Sequence, residues 1–236
     1  MPLIYSPLSD DAIAHPPRAL FPRHAFVMRQ IGDPPGIDKL MNDATVKLLA
    51  SRRYSVKDAD TSTGSKDFVE RILSLIRGTA ITVAIFSGET RSTALANIML
   101  ELGFAAMCGK PLIIVKSKDA SAPSDLTRTD WIDFDPTNVA EFERKVGQAL
   151  DEIGKLVEFE ELLLGLALDA DSMDCAVALD RALKCFLLDG DSRFLDKAQS
   201  IRNKLDAAKR IAGIDDLNRL HDEASLIVAL GRAAIA

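Results

Sequence analysis

The feature that most limits the fold is an alternation running through residues 25–154. Short apolar runs, each followed by a loop rich in Gly, Pro, Ser or Asp, give way to longer amphipathic stretches. The apolar runs are 25–28, 54–57, 80–86, 112–115 and 131–134. Their length and β-branched content mark strands. Between them, apolar residues recur at helical spacing: Ile37, Leu40, Met41, Val46 and Leu49, then Phe68, Val69, Ile72, Leu75 and Ile76. After the last strand, Val139, Phe142, Val146 and Leu150 form one stripe over 138–153. Strands joined by helical crossovers lie parallel with helices on both faces, and right-handed crossovers leave few ways to wind them. The expectation is an α/β doubly wound sheet of five parallel strands in the order 2-1-3-4-5.

In such sheets ligands bind beyond the carboxyl ends of the strands, where the strand order reverses between the first and third. That point would gather Met28, Arg29 and Asp33 after the first strand, Asp58 and Asp60 after the second, and Phe86, Ser87 and Gly88 after the third. A Rossmann glycine fingerprint is absent from the sequence. The pairs Gly64-Ser65 and Ser87-Gly88 could offer backbone amides to a phosphate, and turn chemistry accounts for them equally well. Arg29 reads as a contact for phosphate or carboxylate, or as a surface ion pair. Asp58 and Asp60 read as acceptors for a base or ribose, as donors of a proton to a leaving group, or as helix caps. Phe86 reads as a stacking surface for a base or as core.

The stretch 92–109 is helical by its stripe of Ala94, Ile98, Leu102 and Ala105, and Glu101 is its one acidic or basic side chain. Asn97 shares a face with it, four residues earlier. An ionised carboxylate in apolar surroundings is costly unless paired, and such surroundings raise its pKa, so Glu101 is either a chemical group or a residue on the solvent edge of the helix. Gly103 is read as a point of close approach for backbone or ligand. Gly109, Lys110 and Pro111 end the helix before the next strand.

The pattern Asn97-x-x-x-Glu101-Leu102-Gly103-x-Ala105, followed by Gly109-Lys110-Pro111 and an apolar strand, resembles the nucleoside 2-deoxyribosyltransferase-like and TIR-like nucleotide-binding families. The resemblance covers roughly residues 25 to 150 and implies a flavodoxin-like sheet. In the transferases the Glu before Leu-Gly attacks the anomeric carbon of the sugar. In enzymatic TIR domains a Glu on the matching helix serves cleavage of NAD. It therefore implies a catalytic role for Glu101, with Asn97 holding ribose hydroxyls, Ser87 and Asn97 as polar contacts, and NAD or a nucleoside as substrate with no further cofactor. It also implies a bacterial stress or antiviral defence effector that becomes active on assembly. The chain departs from both families: the first loop has no tyrosine, residues 89–93 replace the transferases' Asn-Pro-Asn run, Ser87 and Glu101 lie further apart than in TIR domains, and no Trp-Cys pair precedes the Glu. It reads as a divergent member, with N-glycosidic bond cleavage as the expected activity. The alternatives are a nucleotide-sensing module that turns over nothing, and an interaction scaffold with a vestigial pocket.

Composition narrows the partners. A net charge of -6 without a basic cluster argues against nucleic acid and for a small ligand, which the resemblance implies is a nucleotide or nucleoside. Three scattered cysteines suit a reducing, cytoplasmic setting without disulfides. His15, His24 and His221 have no metal-ligand spacing, so no metal is expected. Residues 1–24, with several prolines, read as an arm and show no secretory signal or membrane anchor. From 155 to 236 prolines are absent, acids outnumber bases, and 156–168, 173–188, 193–211 and 215–234 read as helices. Residues 189–192 read as a helix break and cap between two of them. The domains expected are thus an arm (1–24), a nucleotide-binding domain (25–154) and a helical domain (155–236). The last offers more apolar surface than it can bury alone, so a homo-oligomer formed through it is expected.

Overall fold

The computed structural model describes residues 4–5, 12–13, 17–59, 68–121, 131–169, 175–212 and 215–236. Its elements in chain order are β1 (Ile4–Tyr5), β2 (Ala12–Ile13), β3 (Phe21–Met28), α1 (Gly36–Ser51), β4 (Ser55–Lys57), α2 (Phe68–Gly78), β5 (Thr79–Phe86), α3 (Ser92–Met107), β6 (Leu112–Ser117), β7 (Trp131–Phe134), α4 (Val139–Asp169), α5 (Cys175–Asp189), α6 (Arg193–Ala212) and α7 (Asp215–Ile235). Two compact units emerge, His24–Ile153 and a second made of Met1–Arg23 with Gly154–Ala236.

The first unit is a five-stranded, all-parallel sheet ordered β4-β3-β5-β6-β7, the flavodoxin-like 2-1-3-4-5 winding. Central β5 is buried at every residue, which explains its largely apolar run: helices cover both of its faces. At the edge, β7 alternates instead, turning Asp133 outward and Ile132 and Phe134 inward. Helices α2 and α3 pack together on one face, as successive crossovers in one direction require. On the other, Arg52 at the end of α1 reaches Asp151 of α4 at 2.8 Å, and Phe142 of α4 meets Phe134 edge-on with ring centroids 5.0 Å apart.

Several boundaries differ from the sequence reading. Strand β3 begins at Phe21 and not at residue 25, because the half-buried segment Phe21, Pro22, Arg23 and His24, which turns left-handed at Arg23 (φ 57°), carries no apolar signature. The buried stripe of α1 is Asp38, Met41, Thr45 and Leu49, whereas Leu40 is 55% exposed. Helix α4 does not stop near Gly154 but runs on to Asp169. An exposed glycine costs a helix only about 1 kcal/mol relative to alanine, and no proline follows to break it. At the amino end β1 and β2 pair antiparallel, an element the sequence did not announce.

In the second unit α6 packs against both α5 and α7, and α5 buries Ala178, Leu179, Ala182, Leu183, Cys185, Phe186, Leu187 and Leu188. Burial pushes the Cys185 thiol up to about 12, as befits a cysteine that serves as packing. Gly190, at φ 82°, ends α5 with its amide on the Phe186 carbonyl, and the Asp191 carboxylate accepts from the Arg193 amide to open α6. Among the described residues no helix is long and apolar enough to cross a membrane, and no group of three or more His, Cys, Asp or Glu could hold a metal ion.

Candidate functional site

The loops at the carboxyl ends of β3 and β5 meet where the strand order reverses, and side chains from both fasten them together. Gln30 is the hinge pin. It is buried, its Nε2 donates to the Asp33 carbonyl at 2.8 Å, and its Oε1 accepts from the Arg91 amide at 2.9 Å. The Arg91 guanidinium returns across the same gap to the carbonyls of Ile31 and Gly32 at 3.3 and 3.1 Å. Gly32 (φ 64°) and Asp33 (φ 33°) turn left-handed there, a conformation costly for Asp33, which has a Cβ.

Under this clasp lies a second set. The Thr90 hydroxyl donates to Asp38 Oδ2 at 2.8 Å, and Thr90 Oγ1 accepts from the Ser87 amide at 2.7 Å. Asp38 is 3% exposed, and its Oδ1 has no hydrogen-bond partner. Ser87 Oγ accepts from the Glu89 amide, and the Gly88 amide donates to Ser117 Oγ at the end of β6.

The residues expected at this point divide sharply. Met28 and Phe86 are 1% and 0% exposed and belong to the sheet core, so neither presents a surface on which a base could stack. Ser87 is buried and spends its hydroxyl inside its own turn. Gly88 and Asp33 are exposed at the loop surfaces. Arg29 forms an ion pair with Asp58 at 3.0 Å, the ion-pair alternative for Arg29. Asp60 and the Gly64-Ser65 pair lie outside the described residues.

Asn97 and Glu101 stand apart from this group. Helix α3 starts at the loop after β5 and runs back along the sheet, so Glu101 is about 13 Å down the helix from Ser92 at 1.5 Å per residue. Ile98, Leu102 and Ala105 face the core, Glu101 is half-buried at the margin of that stripe, and Asn97 is exposed one turn earlier. Neither side chain makes a hydrogen bond or ion pair with a described residue. Burial without such a partner lifts the Glu101 carboxyl from its ordinary 4.5 to about 7. Gly103 is exposed, and a Cβ built on it would meet nothing within 4 Å, so it marks no close approach. The end of the motif is structural: Lys110 Nζ donates to the carbonyls of Arg77 and Thr79, tying the end of α2 to the start of β5, while the Pro111 carbonyl accepts from Thr82.

Asp38, Gln30, Thr90 and Arg91 escaped the sequence reading. A polar residue on a stripe that also buries Thr45 passes for a surface position. The one available signal was Pro35, since a proline before the first helical turn fixes where α1 starts and puts Asp38 in that turn. A scan against protein-family models finds no match for the chain, and a search of curated proteins finds none.

Proposed function

We propose that the sheet domain binds a nucleotide or nucleoside and cleaves its N-glycosidic bond, with Glu101 as the reacting carboxylate and NAD as the favoured substrate. The observation that carries this reading is Glu101 itself, a half-buried carboxyl with no partner among the described residues and a proton held to about pH 7. At neutral pH such a group is present in both forms, which suits one that must be an anion in one step and a proton carrier in the next. The C1′–N bond breaks with its electron pair leaving on the base. Glu101 bonds to C1′ or stabilises the oxocarbenium centre, and water then adds at C1′ as its proton passes to the carboxylate. Asn97, about 5–6 Å away at Cβ by helical spacing, holds ribose hydroxyls.

The choice of NAD follows from the leaving group. Nicotinamide departs from a cationic nitrogen and needs no proton, whereas an ordinary nucleobase does. Asp58, the described candidate for that proton, is engaged by Arg29. The substrate therefore lies along α3, over Asn97 and Glu101, with its far end toward the loops after β3 and β5.

A second reading is a sensing module that binds the same ligand without turnover, and the distance between Glu101 and the strand ends favours it. Base release from NAD and a nucleoside panel, read by chromatography, separates the two. Cleavage predicts release by wild type, a loss of 1000-fold or more in Glu101→Gln (about 4 kcal/mol of barrier), and a smaller joint loss of binding and rate in Asn97→Ala. Binding without release by wild type assigns the sensing role, and undiminished turnover by Glu101→Gln removes Glu101 from the reaction.

A further inference from the structure

The buried carboxyl of Asp38 lacks what a carboxyl in its position normally has. It occupies the third helical position of α1, where an acidic side chain ordinarily folds back on the backbone N–H of the cap residue. Here the cap is Pro35, which has no N–H to give. Oδ2 is satisfied by the Thr90 hydroxyl, and Oδ1 has no donor and no exposure to water. An orphaned acceptor of this kind is destabilising, more so when charged. No ion pair joins Asp38 to a described residue. The dipole of α1, positive at this end, offsets its charge, so the deficit is one hydrogen-bond donor and not a counter-ion. With no cluster of acidic or metal-ligating side chains among the described residues, a metal ion does not fit it.

We propose that Asp38 Oδ1 is the receptor for a sugar hydroxyl at the end of the nucleotide remote from Glu101 and Asn97, the adenosine end of NAD. This rests on the reading that the domain binds such a ligand, but not on catalysis by Glu101. A hydroxyl donating to Oδ1 satisfies the orphan acceptor and adds no charge at the helix start. It reaches Oδ1 when the loop 87–91 swings away from α1, and few bonds hold that loop: Thr90 to Asp38, the Arg91 amide and guanidinium to 30–32, and the Gly88 amide to Ser117. Access to the acceptor and opening of the clasp are then one event, and Arg91, exposed at its outer side, is the latch.

The test compares adenosine with 2′,3′-dideoxyadenosine by calorimetry on wild type and Asp38→Asn, alongside base release from NAD by wild type. The expected result is at least tenfold weaker binding of the dideoxy form to wild type. Asp38→Asn, its fold checked by circular dichroism and melting, should bind adenosine at least tenfold more weakly and discriminate less between the two. Equal affinity of wild type for both nucleosides overturns the proposal without need of a variant. So does an Asp38→Asn protein that discriminates as wild type does, and so does a wild type that binds neither. Hydroxyl discrimination lost on Asp38→Asn, together with no base release, leaves this inference standing and removes the catalytic reading alone.

Discussion

Two carboxyl groups of the sheet domain make opposite use of burial. Asp38, at the reversal of strand order, is almost wholly enclosed and holds one partner, Thr90; Glu101, midway along α3, is half-enclosed and holds none among the described residues. The first is built into the structure through a hydroxyl that also fixes the Ser87 turn. The second borders an apolar stripe, and its raised proton affinity arises from desolvation. Burial that is tied into a network fixes loops, while burial that is not tied leaves a group free to react. The proposed function accordingly divides recognition, at the strand ends, from chemistry, on the helix.

This contrast can be broken in three places. The largest expected effect is at Phe86. If the end of β5 is core, Phe86→Ala costs about 3–5 kcal/mol in chemical denaturation, the usual penalty for emptying a buried aromatic site. A stable variant that had merely lost ligand affinity would show instead that Phe86 faces the ligand. Next comes the pH dependence carried by Glu101. Its proton is held more tightly in the folded than in the unfolded chain, so its contribution to stability is full below pH 4.5 and is lost as pH rises through about 7. Glu101→Gln should melt like wild type near pH 4.5 and exceed it above pH 7 by on the order of 2–3 kcal/mol. A constant difference across that window would mean that the carboxyl is solvated. The smallest effect is at Thr90, where Thr90→Val takes away the one donor of Asp38 and should cost about 1–2 kcal/mol, leaving the Glu101 pH dependence unchanged. A change in that dependence would couple two regions held here to be separate.

The sheet was legible because its central strand is covered on both faces: Val83, Ala84 and Ile85 have no reason to be anything but apolar, and the strand order followed from handedness. Glu101 was legible because a lone charge in an apolar helix stands out. Asp38 was not, since a single polar residue at the start of a helix is usually a solvated or capping one, and its burial depends on Thr90, far away in sequence. Leu40 misled for the opposite reason, an apolar side chain that the α1 stripe leaves exposed. The passage of α4 through Gly154 was hidden because a glycine in a shifting composition looks like a boundary, while a single exposed glycine costs a helix too little to end it. Nor could residues 25–28 announce that β3 extends back to Phe21, where the side chains are only half-buried.

The proposed chemistry requires Glu101 to be a desolvated carboxyl with no partner among the described residues, and its titration measures that desolvation directly. Carbon-13 NMR of the labelled glutamate side chains, with the Glu101 resonance identified by its loss in Glu101→Gln, should show a midpoint at about 7 for the free protein. A midpoint near the ordinary 4.5 would show a solvated surface residue and remove the ground on which the proposed chemistry stands.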